Sequence, residues 1–157
     1  MLFVVALIIF VLDRLSKLAI QHSLGVGDHV PVLGDVLWLD HVQNAGIAFS
    51  LARSHGGLVF VFDVLAICFI LYLTRRVPAA EPWLRVGLGM VLGGAIGNAL
   101  DRVLAGSVTD FIDLRVWPVF NVADMGIDIG AVIIGWRLFA GSRTPTADAA
   151  DEPTGGS

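Results

Sequence analysis

The sequence has little charge, a single cysteine and no block of basic residues. Charged residues make up 15% of the 157, and the formal net charge is −4. Proteins that follow the phosphates of a nucleic acid need clustered Lys and Arg side chains, so this composition excludes nucleic acid as a partner. Cys68 lies in an apolar run and, as the single cysteine, cannot form an intrachain disulfide.

The four histidines do not have the spacing of a metal site. They show neither the i,i+4 spacing of two ligands on one helix nor the neighbouring cysteines of a zinc site. These residues are His22, His29, His41 and His55. The sequence therefore predicts no metal site.

Long apolar stretches make up most of the chain. Hydrophobic residues account for 56% of it and the mean hydropathy is +0.81, which is too apolar for an ordinary soluble domain of this length. Crossing a membrane takes ~20 mostly apolar residues. Four stretches meet that requirement, namely Leu2–Ile20, Leu58–Thr74, Trp83–Leu104 and Phe120–Phe139. The sequence predicts an all-α membrane protein of four transmembrane helices, with residues 1–140 as one membrane domain.

Two segments outside these spans have a different composition. Between spans one and two, Val30–Leu39 is rich in β-branched and aromatic residues and is punctuated by Gly and Pro, which predicts a small extramembrane β-containing segment. From residue 141 to residue 157 the chain turns to Ser, Thr, Pro, Asp and Gly without an apolar period. We expect this C-terminal segment to be a disordered cytoplasmic tail.

The distribution of arginine predicts the orientation in the membrane, because short cytoplasmic loops are enriched in Lys and Arg. Five arginines follow span two or span four, whereas the opposite side has two. The five are Arg75, Arg76, Arg85, Arg137 and Arg143, and the two are Arg53 and Arg115. Both termini are therefore expected in the cytoplasm.

Polar residues interrupt the apolar chain in five clusters, of which the first three are ambiguous. Asp13 and Lys17 stand one helical turn apart, so they either form an ion pair within span one or take a direct part in a site. Asn44, beside small residues, is most simply part of a turn. Asn98 and Arg102 share a helical face at the end of span three, where Arg102 could also anchor the helix to lipid headgroups.

The last two clusters contain the carboxylates Asp110 and Asp124. An ionised Asp at a helix centre in hydrocarbon costs about 2.5–3.5 kcal/mol, so such residues usually face a cavity and mark a functional site. Two carboxyls within about 3 Å share one proton, so that one can act as a base on water while the other donates to a carbonyl oxygen. The residues alone leave open a proteolytic pair and two solvated loop acids.

Three further functions remain open on the residues alone. A proton-coupled transporter would also use carboxylates within the membrane, although no internal repeat is found. Lys17 could serve as the base of a serine protease with Ser50, since the adjacent Ser16 points to another face. A structural membrane subunit would account for the glycines at four-residue spacing in span three, but not for the acids.

Taken together and in order, the five clusters resemble the motifs of bacterial lipoprotein signal peptidase, also called signal peptidase II. The motifs are Asp-x-x-Ser-Lys from Asp13, Asn-x-Gly-x-Ala-Phe from Asn44, Gly-Asn-x-x-Asp-Arg from Gly97, Val-x-Asp-Phe from Val108 and Phe-Asn-x-Ala-Asp from Phe120. Members of that family are four-span aspartic proteases of the bacterial cytoplasmic (inner) membrane. They remove the signal peptide of prolipoproteins by cutting before a cysteine that carries a diacylglyceryl group.

The resemblance implies a role for each matching residue. Asp110 and Asp124 would be the catalytic pair, facing the outer side of the membrane. The residues that would bind substrate or support the site are Asp13, Lys17, Asn44, Asn98, Arg102 and Asn121. It further implies diacylglyceryl-modified prolipoproteins as substrates, contact with membrane lipid, no metal or organic cofactor, and a monomer as sufficient for the chemistry. The sequence departs from the family at Arg14, where Gln is usual and where Arg could compete with Lys17 for Asp13.

The predicted orientation can be tested with alkaline phosphatase fusions, because that enzyme is active only outside the cytoplasm. Fusions after His55, after Arg76 and at the C-terminus sample one outer and two inner positions. Only the His55 fusion should be active. Activity from the Arg76 fusion would show that the orientation is reversed.

Overall fold

The computed structural model describes residues 1–46 and 56–141. Within them the chain forms helices α1 (Leu2–Ser23), α2 (Gly56–Thr74), α3 (Pro82–Ala105) and α4 (Val122–Gly141), and strands β1 (His29–Leu33), β2 (Leu37–Asn44) and β3 (Val108–Asp113). The four helices and the strands between the first two agree with the sequence prediction. The tail expected to be disordered lies outside the described residues beyond Gly141, as do His55 and Ser50.

One element was predicted wrongly, because residues 108–113 form a strand and not a loop. β1, β2 and β3 make a three-stranded antiparallel sheet in that order, so the β structure is not confined to the segment between α1 and α2. Val108-Thr109-Asp110-Phe111-Ile112-Asp113 contains the β-branched and aromatic residues that suit a strand. Its pairing partner β2 is far away in the sequence, which is why local pattern alone did not reveal it.

Length and composition single out one helix of the described chain as able to cross a membrane, namely α3. α1 contains Asp13, Arg14 and Lys17, and α4 contains Asp124 and other charged residues, which lower their hydropathy. The existence of four transmembrane spans therefore stays a prediction. The outward faces of the helices nevertheless expose many large apolar side chains, among them Phe3, Leu7, Phe62, Leu65, Val132 and Trp136. An apolar surface of this extent is typical of contact with a membrane or another protein.

The helices bury an apolar core at one end and a polar cluster at the other. α3 packs against the other three described helices, and its start, the start of α1 and the end of α2 meet in the core. The core residues are Leu2, Ala6, Ile70, Leu88 and Leu92. The polar cluster lies where α1 and α3 end and α4 begins, and it includes Asp13, Lys17, Asn98, Asp101 and Asn121, all nearly or completely buried.

Glycines allow α3 to approach helices on two sides. A Cβ atom at Gly93 would collide with the backbone of Ala6 in α1, and one at Gly94 would collide with the carbonyl oxygen of Ala123 in α4. Small residues give such close approach in lipid, where helices gain little from the hydrophobic effect. The interpretation of the glycines at four-residue spacing in span three as packing residues is confirmed at Gly93, and Gly94 adds a close contact that this spacing did not predict.

Substitution of Gly94 by alanine should destabilise the bundle. The added methyl group meets backbone, which cannot turn away, so we expect a loss of about 1–3 kcal/mol. Gly135→Ala is a matched control, because a Cβ atom there has nothing within 4 Å and alanine favours a helix. Thermal unfolding in detergent should give a lower midpoint for Gly94→Ala only. Equal midpoints would contradict the close packing of α3 against α4.

Candidate active site

The fold brings Asp110 of β3 and Asp124 of α4 to one site, where both are bound by Asn121. The side-chain amide of Asn121 donates from Nδ2 to Oδ1 of Asp110 at 2.6 Å, and its backbone N–H donates to Oδ2 of Asp124 at 3.2 Å. Asp110 is 3% exposed and Asn121 is fully buried. The fold therefore brings both acids to one asparagine, a meeting that the spacing of the residues alone left open.

Asn121 reaches both acids because it caps helix α4, whose first residue is Val122. Its Oδ1 accepts the backbone N–H of Asp124 at 3.0 Å, while the carboxylate of Asp124 accepts the backbone N–H of Asn121. This reciprocal pair is a capping box, here with Asn and Asp in place of the usual Ser or Thr and Glu. The Asn-x-x-Asp spacing thus starts the helix and fixes one carboxylate at its first turn.

Asn98 on α3 makes the second link to this pair. Its Nδ2 donates to Oδ1 of Asp124 at 2.7 Å, and its Oδ1 accepts from Nζ of Lys17 at 3.0 Å and from Nδ2 of Asn121 at 3.3 Å. Since an ammonium group can only donate, Lys17 holds the oxygen of Asn98 on its own side. The NH₂ group of Asn98 is thereby directed at Asp124.

Asn44, at the end of β2, binds the other acid from the opposite side. Its Nδ2 donates to Oδ2 of Asp110 at 2.8 Å, and its Oδ1 accepts the backbone N–H of Gly46 at 2.9 Å. Gly46 has a φ of 78°, a conformation that glycine adopts without strain. Asn44 is therefore both part of a turn, as the sequence suggested, and a partner of Asp110.

Lys17 is the centre of a buried charge cluster. Its Nζ lies 2.9 Å from Oδ2 of Asp13 and 2.9 Å from Oδ2 of Asp101, in addition to its bond to Asn98. Lys17 and Asp13 are fully buried. Oδ1 of Asp13 accepts a hydrogen bond from the backbone N–H of Ala123 at 3.0 Å, so this carboxylate also binds the first turn of α4. The ammonium group thus donates a hydrogen bond to Asn98 and lies against two carboxylate oxygens, and a buried charge requires such pairing.

Two charged contacts were not expected from the sequence. Nη1 of Arg102 lies 2.6 Å from Oδ2 of Asp63 on α2, so Arg102 joins α2 to α3 and makes no contact with Asp110 or Asp124. Arg14 does not compete with Lys17 for Asp13, because its guanidinium binds Oδ1 of Asp101. Asp101 was recognised as part of the polar cluster but not as a site residue, although its position one turn after Asn98 was the available signal.

Burial makes Asp110 a weaker acid than an exposed aspartate. It raises the pKa of the Asp110 carboxyl above its ordinary value, and the negative charge of Asp124 raises this pKa further. The amide hydrogen bonds from Asn44 and Asn121 and the charge of Lys17 lower it and only partly compensate. A carboxyl whose pKa is raised holds its proton to higher pH, as the proton donor of an acid–base pair must.

The same geometry weakens the serine–lysine alternative. Ser16 donates its hydroxyl to the backbone oxygen of Asp13 at 2.9 Å, and the ammonium of Lys17 is bound on all three sides. Ser50 lies outside the described residues. Among the residues that the structure describes, no three His, Cys, Asp or Glu side chains are grouped as metal ligands would be.

Comparison with known proteins gives matches along nearly the whole chain. The family model described as Signal peptidase (SPase) II matches residues 5–140. A lipoprotein signal peptidase of Moorella thermoacetica is 41% identical over 133 residues, covering 85% of this chain and 89% of that protein. One of Halothermothrix orenii is 37% identical over 137 residues, covering 85% of this chain and 92% of that protein.

Two solved structures share the fold. Both are bacterial membrane enzymes studied by the in meso method, at 2.3 Å and 1.9 Å resolution. The first has a TM-score of 0.85 at 24% identity and covers 96% of this chain and 94% of the other. The second has a TM-score of 0.82 at 26% identity and covers 87% of this chain and 91% of the other.

Proposed function

Because the chain belongs to the signal peptidase II family, we propose that it removes signal peptides from prolipoproteins by an aspartic mechanism in which Asp110 and Asp124 are the catalytic pair. The observation that carries this proposal is the bridging of both carboxyls by Asn121. A residue pair held at one point, with one acid buried on a strand and the other at a helix start, suits general acid–base catalysis.

In the proposed reaction Asp124 is ionised and Asp110 carries the shared proton. Asp124 takes a proton from water, and the water oxygen attacks the scissile carbonyl carbon while Asp110 donates to the carbonyl oxygen. The tetrahedral intermediate then collapses: Asp124 gives its proton to the amide nitrogen, a hydroxyl group of the intermediate returns a proton to Asp110, and the carbon–nitrogen bond breaks. The products are a signal peptide with a new carboxylate and a protein with a free amine on its lipid-modified cysteine.

The asparagines and the charge cluster support this pair. Asn98 and Asn121 each donate to a carboxylate oxygen, and each has its own amide oxygen bound. Both acids are therefore held by amide groups, which do not titrate. Asn44 holds Asp110 from the second strand. Rigid support of this kind matters because catalytic groups displaced by about 1 Å can lose ~10²-fold in rate.

The substrate follows from the family and from the apolar surface of the helices. We assign it as a prolipoprotein whose cysteine bears a diacylglyceryl group, with the acyl chains remaining in the membrane lipid while the peptide bond meets Asp110 and Asp124. Arg102, paired with Asp63, supports the site by joining α2 to α3. The Arg102 side chain remains partly exposed, so a polar group of the substrate can still reach it.

We further propose that this membrane enzyme lies in the bacterial cytoplasmic (inner) membrane as a four-span monomer. Both termini face the cytoplasm, and the site opens toward the outer side. The arginine distribution supports this orientation, since the end of the bundle with Asp110 and Asp124 is opposite to the loop that holds Arg75 and Arg76.

Replacement of either catalytic acid by asparagine should abolish cleavage while the protein still folds. Asparagine keeps the size of aspartate but cannot alternate between base and acid, so we expect Asp110→Asn and Asp124→Asn each to lose at least about a thousandfold in kcat. The double variant should be scarcely slower than either, because catalytic units are strongly non-additive. Purified variants are assayed on a lipid-modified precursor peptide.

Asp35→Asn is the control for this experiment, because Asp35 is an exposed acid in the turn between β1 and β2. It should retain wild-type turnover. A folded Asp110→Asn or Asp124→Asn protein that cleaves the precursor at nearly the wild-type rate would refute the aspartic mechanism.

A further inference from the structure

Arg14 binds Asp101, which, like Asp13, contacts the buried ammonium group of Lys17. Its guanidinium donates to Oδ1 of Asp101, while Oδ2 of the same carboxylate lies 2.9 Å from Nζ of Lys17. The Arg14 side chain is 18% exposed and that of Asp101 is 5% exposed. Asp101 is therefore held between two cations, one from each side of its carboxylate.

The charges of this cluster balance only when Arg14 is included. Asp13 and Asp101 both lie against the single ammonium group of Lys17, so these three residues together carry one uncompensated negative charge. Arg14 supplies the missing positive charge. An uncompensated charge at this depth is costly, so the positive charge of Arg14, at a position where the family usually has Gln, lowers the cost of burying this cluster.

Continuous polar contacts lead from Arg14 to the catalytic pair. They run from Arg14 through Asp101, Lys17 and Asn98 to Asp124, with distances of 2.9, 3.0 and 2.7 Å for the last three contacts. We propose that Arg14 is a positioning residue that neutralises the charge of Asp101. It thereby keeps Lys17 bound to Asn98 and maintains the electrostatic environment in which the catalytic pair reacts. This inference rests on the proposed aspartic mechanism.

Loss of the Arg14 charge should shift the pH profile of cleavage in one direction. Without the Arg14 guanidinium, less positive charge offsets the negative charge of Asp101. Asp101 then acts more strongly on Lys17 and on the catalytic carboxyls. Added negative charge stabilises the protonated form of a carboxyl. Asp110 should then hold its proton to higher pH, and the alkaline side of the pH profile of cleavage should move upward.

The other charged groups around the site stay the same in such a variant. On α1 these are Asp13 and Lys17, and between α2 and α3 there is the Asp63–Arg102 pair. On the sheet, Asp113 is paired with Arg115, and burial raises the pKa of the nearby Asp40 carboxyl. A change in the pH profile can therefore be attributed to position 14.

Arg14→Gln separates charge from hydrogen bonding, because glutamine can still donate to Asp101 but is neutral. We expect the kcat/KM profile of Arg14→Gln to shift upward by roughly half a pH unit on its alkaline side. Arg14→Lys keeps the charge and should return the profile to that of the wild type. Arg76→Gln removes an exposed positive charge at the other end of the bundle and should leave the profile unchanged.

A wild-type profile for folded Arg14→Gln, or an equal shift for Arg14→Lys, would overturn the inference. If Arg14→Gln does not fold, Arg14→Lys decides alone: a wild-type profile supports the charge role and a shifted profile contradicts it. Failure of the aspartic mechanism is seen separately, as cleavage by Asp110→Asn or Asp124→Asn. If those variants are inactive and the Arg14→Gln profile is unchanged, only the role of Arg14 is wrong.

Discussion

The arrangement of the site depends on one buried ammonium group, that of Lys17. It binds two carboxylates and the oxygen of Asn98, and this last contact turns the NH₂ group of Asn98 toward Asp124. A lysine with no exposed surface is stable only if its N–H bonds all have acceptors. The contacts that pair this charge therefore also orient an amide at the proposed catalytic pair, so the same residues serve stability and the proposed function.

Close helix packing makes this contact possible. A Cβ atom at Gly97 would lie 2.5 Å from Oδ2 of Asp13, so glycine is needed where the carboxylate approaches α3. Gly94 likewise admits the backbone of Ala123, whose N–H binds Asp13. The small residues on α3 thus place α1 and the start of α4 at the distance that the polar cluster requires.

Much of the site could be predicted from the sequence, because its residues stand in short motifs whose spacing has a physical meaning. Asn-x-x-Asp at 121–124 is a capping box, and Asp13 and Lys17 are one helical turn apart. The strand containing Asp110 was missed, since its pairing with β2 joins distant parts of the chain. The partners of Arg102 and Arg14 were missed for the same reason: they lie on other helices, 39 and 87 residues away.

The central claim is that Asp110 is the member of the proposed catalytic pair that carries the proton. Infrared difference spectroscopy between the wild-type protein and Asp110→Asn tests it most directly, because protonated and ionised carboxyl groups absorb at separate frequencies. The account predicts that the substitution removes the band of one protonated carboxyl and leaves the bands of ionised carboxylates unchanged. Loss of an ionised carboxylate band, with no change among protonated carboxyls, would mean that both acids are ionised in the wild type and would contradict the account.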